Sequence, residues 1–315
     1  MKNITKLLGL LLLFSAFAMT VSAPVQAKKD FTVSTSSKPY KNKYVKNPVY
    51  NKYTKHYLTL RSYLDEMSKK GGGTLTIKKG TYNISNALLV PSNVKIVLQD
   101  GVVMNKIGNS HTKKLKAGHV MFECVRSSRI NKKGVVGKYN GEKNIQIIGE
   151  GTVIMNLSGC NKSEAIRVPH CKNVLIDNIT FTNLRDGHFI EVTASKDVTV
   201  QNCTFKNNLS GERCAINLDT PDKVTNGFNG KYSKFDKTPV LNVTIQNCGF
   251  YNLHRGIDTH RFSPNKYHTN VQILGCTFKD SVQSPIMMLN WKNAVIKGNT
   301  IDTVKGWSTN NIQTE

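Results

Sequence analysis

Hydrophobic and polar residues alternate along much of the chain, and one eight-residue pattern of this kind occurs five times. Each copy has apolar residues at its first, third and eighth positions and Asn or Gly at its fifth position. Such alternation is typical of half-buried β-strands. The copies lie at residues 174–181, 198–205, 243–250, 271–278 and 294–301.

The copies begin 24, 45, 28 and 23 residues apart, which is the repeat length of a solenoid with one interval enlarged by an insertion. Because Asn and Gly adopt the left-handed backbone conformation at low cost, the fifth position predicts a tight bend between two strands of every coil. Asparagines stacked at this bend are expected to hydrogen-bond along the column. The fifth-position residues are Asn178, Asn202, Asn247, Gly275 and Gly298.

One helix is predicted at residues 57–70, where apolar side chains share one face and three glycines follow. It is expected to cover the N-terminal end of the solenoid, which would otherwise expose unpaired strand groups. Its apolar face consists of Leu60, Tyr63, Leu64 and Met67. No comparable cap follows Ile301, which favours a truncated chain.

Further strands are predicted at residues 74–77, 87–90 and 94–98. Two insertions interrupt the pattern, at residues 106–143 and 221–239. Insertions leave a solenoid as loops on one face, commonly the binding face.

The first 27 residues predict that the protein is secreted, and the charge predicts the kind of partner. Residues 1–27 combine a basic start, an apolar run and a small-residue exit, as in a secretory signal sequence, and no other segment predicts a membrane span. Residues 28–55 form a basic linker, expected to be a disordered leader, and residues 56–315 form the solenoid domain. The excess of 44 Lys and Arg over 20 Asp and Glu favours an anionic partner, an acidic polysaccharide or cell-wall polymer. No nucleic-acid-binding motif is present. The expected state is a secreted monomer that associates with the cell wall.

All seven cysteines lie beyond the signal sequence. Cys203, Cys248 and Cys276 occupy the sixth, inward-facing position of their copies, a position that Ile179 also fills. This column predicts packing rather than bridging, so free buried thiols are expected.

Over residues 57–304 the chain resembles the pectin-lyase-like superfamily of secreted right-handed parallel β-helix proteins, of the polygalacturonase and pectate lyase type known from Gram-positive bacteria. The resemblance implies an all-β fold whose coils each hold three strands. It is carried by the segments 71–75 (GGGTL), 80–82 (GTY) and 187–191 (GHFIE) and by the Asn-Cys-Thr-Phe coils.

The first strand of each coil then becomes recognisable by an isoleucine that faces inward, so that the next residue faces outward. Polar residues at the outward positions concentrate in the middle coils. The first outward column is Arg167, Glu191, Asn217, Asp258 and Met287, and the second is Pro169, Thr193, Asp219, His260 and Leu289.

The polygalacturonase resemblance implies a hydrolase that acts on an acidic polysaccharide. Asp219, Asp258 and Glu191 are the candidate carboxyl catalysts, and His260 is expected to tune their ionisation. The usual consecutive Asp-Asp pair is absent. The candidate substrate-binding residues are Asn217, His188, Arg213, Arg255 and Arg261.

Two alternatives remain open from the sequence. In a pectate lyase, Glu191, Asp219 and Asp258 would hold Ca²⁺; the hydrolase needs no cofactor. The other alternative is a non-catalytic cell-wall or glycan adhesin. Tyr232, Trp291 and Trp307 are candidates for stacking on sugars, and Trp291 equally for closing a coil edge.

Overall fold

A computed structural model describes residues 28–46 and 48–302, together with the backbone of residues 312–314. The predicted signal sequence and Trp307 lie outside the described residues. The described chain contains one α-helix, α1 (Lys55–Lys69), one 3-10 helix (Asn42–Tyr44) and 26 strands. None of its helices is long and apolar enough to span a membrane.

The strands are short and follow one another throughout the chain. They are β1 (Phe31–Val33), β2 (Gly73–Ile77), β3 (Gly80–Ile84), β4 (Leu88–Leu89), β5 (Val94–Leu98), β6 (Val102–Ile107), β7 (Val120–Glu123), β8 (Lys143–Gly149), β9 (Val153–Gly159), β10 (Glu164–Pro169), β11 (Lys172–Asp177), β12 (Thr180–Arg185), β13 (His188–Thr193), β14 (Lys196–Gln201), β15 (Thr204–Ser210), β16 (Cys214–Asp219), β17 (Leu241–Gln246), β18 (Gly249–Tyr251), β19 (Arg255–Asp258), β20 (His268–Leu274), β21 (Thr277–Lys279), β22 (Ile286–Met288), β23 (Trp291–Lys292), β24 (Val295–Lys297), β25 (Thr300–Ile301) and β26 (Ile312–Thr314).

Three parallel sheets run along the molecule, and each complete coil contributes one strand to each sheet. The first-strand sheet has the order β26-β22-β19-β16-β13-β10-β7-β4. The second-strand sheet runs from β1 and β2 through β5, β8, β11, β14, β17 and β20, and the third-strand sheet runs from β3 to β25. This is the parallel β-solenoid that the repeat predicts.

The core consists of columns of identical or similar side chains on successive coils. Phe181, Phe205, Phe250 and Phe278 stack with ring centroids 4.9, 4.9 and 4.6 Å apart and planes within 14° of parallel. All four side chains are at most 1% exposed. All seven cysteines are free and buried, as the sixth-position column predicts.

The predicted bends are confirmed, since the five fifth-position residues have φ between 53° and 68°. Their hydrogen bonds differ from the expectation. Asn178 Nδ2 donates to the carbonyl oxygen of Gly149, and Asn202 Nδ2 donates to Asp177 Oδ1. The described amide ladders form in other left-handed columns, for example Asn173 to Asn144 at 2.9 Å.

Helix α1 covers the first coils, as predicted, and begins two residues earlier than expected. Leu60, Leu64 and Met67 are fully buried, and the Gly72 N–H donates to the Met67 carbonyl oxygen at the helix end. The expectation of a disordered leader is wrong for residues 28–46. There β1 pairs in parallel with β2 and places Phe31 against Tyr40 and Tyr63, so this segment extends the cap.

The insertions differ in one respect from the prediction. Residues 120–123 form β7 of the first-strand sheet, so the first insertion divides into loops 108–119 and 124–142. Loop 124–142 packs against the second insertion, residues 220–240, through a bridge between Val136 and Ser233. We call these two packed loops the canopy. A small apolar cluster of Leu89, Val125, Val136, Phe228 and Tyr232 joins them to the solenoid, so the canopy covers part of the first-strand sheet.

Candidate functional site

The register of the first-strand sheet brings the predicted outward columns together. Arg167 lies beside Glu191, Glu191 beside Asn217, and Asn217 beside Asp258 on successive coils. Thr193 lies beside Asp219 in the second column. The outward side chains are nevertheless buried: Glu191 is 6% exposed and Asp219 only 1%.

An open cleft of about 270 Å³ lies between these strands and the canopy. Its floor is formed by the first-strand sheet, and Phe228 and Asn229 of the canopy form a wall. Six candidate residues line it: His188, Glu191, Arg213, Asn217, Asp219 and His260.

Arg167 is the electrostatic centre of the cleft. Its Nε and Nη2 donate to Glu164 at 2.6 and 2.5 Å, and Nε lies 3.2 Å from Glu191 Oε2. Nη1 lies 3.6 Å from Glu123 Oε1 and donates to Asn229 Oδ1 at 3.3 Å. One buried guanidinium therefore serves three carboxyl groups.

The three carboxyl groups do not share the charge of Arg167 equally. Burial alone would raise the pKa of Glu164, but the Arg167 guanidinium outweighs burial and lowers that pKa to about 2. For Glu191, burial and then the negative charge of Glu164 raise the pKa well above its usual range. Glu164 is thus the ionised member of the pair, and Glu191 retains a proton to higher pH.

Among the described residues, no Lys or Arg side chain forms an ion pair with Asp219. Its Oδ1 accepts from the Arg261 backbone N–H at 3.0 Å, and its Oδ2 lies 3.7 Å from His260 Nδ1. Burial raises the pKa of Asp219 well above its usual range, and the nearby Asn217 amide and the Arg261 backbone N–H offset only part of this effect. The Arg261 side chain itself is exposed.

Both histidines of the cleft are neutral. Burial, reinforced by His188 and nearby arginines, lowers the pKa of His260 to about 3. Its Nδ1 lies 3.3 Å from Asn217 Oδ1, the geometry of an N–H donor to the amide oxygen. Burial also lowers the pKa of His188, whose Nδ1 lies 3.1 Å from the Cys214 carbonyl oxygen.

Asp258 and Arg255 pair with each other rather than lining the cleft. Arg255 Nη1 donates to Asp258 Oδ2 at 2.8 Å, and Asp258 Oδ1 is buried with no hydrogen-bond partner in the structure. Burial raises the pKa of Asp258 despite Arg255. Within the described ranges no group of three or more His, Cys, Asp or Glu is arranged as metal ligands, so calcium binding by Glu191, Asp219 and Asp258 stays a prediction.

The two aromatic candidates among the described residues, Tyr232 and Trp291, both make internal contacts. Tyr232 is 1% exposed, and its hydroxyl donates to Glu123 Oε1 at 2.7 Å, so its role is to fix the canopy. Trp291 is half-buried at the coil edge, where Nε1 donates to Thr259 Oγ1. The prediction for Tyr232 is therefore wrong, and the edge-closing alternative describes Trp291.

Sequence reasoning missed Glu123, Glu164 and the central role of Arg167. Strict alternation from the inward Ile166 places Glu164 inward, whereas its carboxylate reaches the outward Arg167 at the start of the strand. An Arg within an outward column of carboxyl and amide residues is the one signal that points to this cluster.

Known proteins share this architecture. A curated relative, the plasmin and fibronectin-binding protein A of Streptococcus pneumoniae, is 26% identical over 265 residues, which cover 76% of this chain and 36% of that protein. A crystal structure of PfbA, a surface adhesin of Streptococcus pneumoniae, superposes with a TM-score of 0.64 at 20% identity, covering 82% of this chain and 61% of the other. A putative glycosyl hydrolase from Parabacteroides merdae superposes with a TM-score of 0.50 at 16% identity. The superposition covers 79% of this chain and 96% of the other.

The chain spans about a third of the length of its curated relative, and the structural likenesses establish the fold alone. A family model described as "Right handed beta helix region" matches residues 119–301, more than half of the chain. This match confirms the predicted fold and its handedness. With the three parallel sheets and the regular coil register, it shows that the chain belongs to the right-handed β-helix family.

Proposed function

We propose that the protein acts outside the cell as a glycoside hydrolase on an acidic polysaccharide, with Asp219 as the proton donor. The observation that carries the proposal is a carboxyl group that is 1% exposed, has a raised pKa and lines an open cleft. Burying a carboxyl group without a cationic partner is costly for stability, and such groups are characteristic of functional sites.

Glu191 supplies the second carboxyl group. Thr193 pairs with Asp219 on the next coil, and Glu191 lies two residues before Thr193 on the same strand. Glu191 and Asp219 are therefore offset by one coil and two residues. A coil spacing of about 4.8 Å and a rise of about 3.3 Å per residue give a Cα separation of about 8 Å. Inverting glycosidases hold their two carboxyl groups about 6.5 to 9.5 Å apart, which leaves room for the attacking water.

The ionisation of this pair supports the same chemistry. Negative charges on Asp219 and Glu191 would repel each other, so loss of the proton from either carboxyl group makes loss of the other proton harder. The pair then passes through a singly protonated form, which contains one general acid and one general base. Lys162 and Arg213 line the same cleft and suit a substrate that carries carboxylates.

The test is incubation of the mature protein with acidic and neutral polysaccharides, with and without calcium, while reducing ends and unsaturated-product absorbance are followed together. We expect reducing ends without absorbance. Asp219→Asn should lower the rate at least about 100-fold, the contribution of a general acid. Asp280→Asn, at an exposed position, is the matched control.

Equal rates for Asp219→Asn and the control would refute the assignment of Asp219. Absorbance that requires calcium would replace the hydrolase with a lyase. Absence of any product from every polysaccharide would exclude both enzymatic functions and favour the second candidate function, described next.

The second candidate is an adhesin. It is favoured by the 26% identity to a protein named for binding plasmin and fibronectin. We expect immobilised plasmin and fibronectin to retain the mature protein. The Asp219→Asn variant should be retained equally, because adhesion does not use the proposed proton donor. Failure to bind either protein at 0.15 M salt would count against this candidate.

A further inference from the structure

Three lysines stand in register on adjacent coils of the second-strand sheet. Lys172 pairs with Lys143 on one side and with Lys196 on the other, each at the first position of its strand. Coil spacing places neighbouring members about 4.8 Å apart at the backbone. We call these three residues the lysine row; none of them lines the cleft.

The lysine row is costly for the protein itself. Like charges directly opposite each other on a sheet are destabilising. Lys196 has a carboxylate partner, Asp197 Oδ2 at 3.6 Å, but no carboxylate of the described chain lies within 4 Å of Lys143 or Lys172 Nζ. At the next position the same coils carry Asn144 and Asn173, whose amides hydrogen-bond at 2.9 Å.

The canopy also carries an excess of cations. Its two loops contain nine basic residues and three acidic ones. The basic residues are Arg126, Arg129, Lys132, Lys133, Lys138, Lys223, Lys231, Lys234 and Lys237.

The three acidic residues of the canopy are bound within the protein. Glu142 accepts from Arg126 and Ser92, Asp222 accepts from Ser263, and Asp236 accepts from Thr238. Their oxygens are therefore occupied by internal contacts, which also engage Arg126, Arg129 and Lys237, so the six other canopy lysines carry the net positive charge of the loops.

Main-chain hydrogen bonds join the canopy directly to the lysine row. The Lys172 N–H donates to the Glu142 carbonyl oxygen, one residue before Lys143. On the canopy, the Lys234 N–H donates to the Val136 carbonyl oxygen, two residues before Lys138. Lys138 and Lys234 are exposed. Backbone hydrogen bonds thus fix the canopy loops relative to the strands that carry the lysine row.

We propose that the lysine row and the adjoining canopy lysines bind a linear polyanion that carries a carboxylate or phosphate group on each monomer. The polymer lies along the solenoid axis, and successive coils present one ammonium group each to successive anions. These contacts offset the repulsion within the row. This binding surface is separate from the cleft and does not depend on the proposed hydrolysis.

The test compares two triple variants with the same net charge. The row variant removes the lysine row and carries Lys143→Gln, Lys172→Gln and Lys196→Gln. The loop variant removes three exposed lysines of loop 108–119 and carries Lys113→Gln, Lys114→Gln and Lys116→Gln. Affinity for polygalacturonate, poly(glycerol phosphate) and neutral dextran is measured by calorimetry between 0.05 and 0.5 M NaCl.

We expect the row variant to lose at least about tenfold in affinity for a polyanion at the lowest salt. The plot of log affinity against log salt concentration should become less steep by about two to three in slope, which is near one for each lost contact. The loop variant should change by less than about twofold, and dextran should not bind. The row variant should melt at the same or a higher temperature than the parent, since like-charge repulsion is removed.

Equal losses in both variants would overturn the proposal and indicate diffuse charge attraction. Absence of polyanion binding by the parent protein would also overturn it. Preference for polygalacturonate would identify a carboxylated glycan as the ligand, and preference for poly(glycerol phosphate) a phosphate polymer. Because Asp219→Asn leaves the row intact, loss of hydrolysis and loss of this binding are distinguishable.

Discussion

Replacement of Arg167 by Met provides a test of the electrostatic organisation of the cleft. The substitution keeps much of the side-chain volume and removes the charge that three buried carboxyl groups share. Removing one partner of a buried ion pair is strongly destabilising, because the remaining charge is left without compensation.

The size of the expected destabilisation follows from the pKa of Glu164. With burial opposing and Arg167 favouring ionisation, the pKa of Glu164 falls from 4.5 to about 2; at about 1.4 kcal/mol for each pKa unit, the ionised Glu164 in this environment contributes a net stabilisation of about 3 kcal/mol at neutral pH. Breaking a buried pair generally costs about 3 to 5 kcal/mol. We expect Arg167→Met to lower the free energy of unfolding by about 3 to 5 kcal/mol at pH 7.

The sign of the pH dependence is defined by the lowered pKa. Stability that depends on a depressed carboxyl pKa is present above the unfolded pKa, 4.5, and is lost as the pH falls through about 2. The difference between parent and variant should therefore shrink as the pH falls from 7 through 4 to 2.5. Urea unfolding followed by circular dichroism at these three pH values measures it.

Arg213→Met is the matched control, because Arg213 pairs with Asp186 at 3.4 Å and its side chain is 40% exposed. Such a pair contributes at most about 1 kcal/mol. A loss for Arg167→Met that stays constant from pH 7 to pH 2.5 would refute the electrostatic reasoning and assign the effect to lost packing.

Three further predictions concern the core, the bends and Asp219. Phe205→Ala, in the middle of the aromatic stack, should cost about 3 to 5 kcal/mol in urea unfolding; a loss below 1 kcal/mol would contradict the packing. Asn202→Ala should lower stability by about 1 kcal/mol and Asn202→Gly by less, because φ is 53°; equal losses would exclude backbone strain as the cause. Asp219→Asn should raise the melting temperature at pH 8 but not at pH 3.5, since a raised pKa costs stability as pH rises; an equal effect at both would contradict the raised pKa.

Much of the fold was predictable because a solenoid repeats one local solution. The position of the Phe column and the left-handed bends follow from residue type within each eight-residue copy, with no need for long-range information. The N-terminal segment was misread for the opposite reason. Its lysines dominate the composition, whereas its apolar and aromatic residues Phe31, Val33, Tyr40 and Tyr44 pack on the cap.

The candidate site was only partly predictable. Alternation places Glu191, Asn217 and Asp219 on the outer face, and coil register brings them together. Their burial depends on the canopy, whose two loops carry no periodic signal. The pKa shifts follow from that burial, so they could not be obtained from the columns alone.

The canopy also changes how the solenoid should unfold locally. In repeat proteins most contacts join neighbouring units, so local fluctuations remain confined to one or two coils. Here the Tyr139 hydroxyl donates to the Pro239 carbonyl oxygen across 100 positions of chain, and the loops depart from β7 and β16, three coils apart. The four coils whose first strands are β7, β10, β13 and β16 are therefore tied at both ends. Hydrogen exchange should therefore report them as one cooperative unit, with a common opening free energy that the coils after β19 do not share.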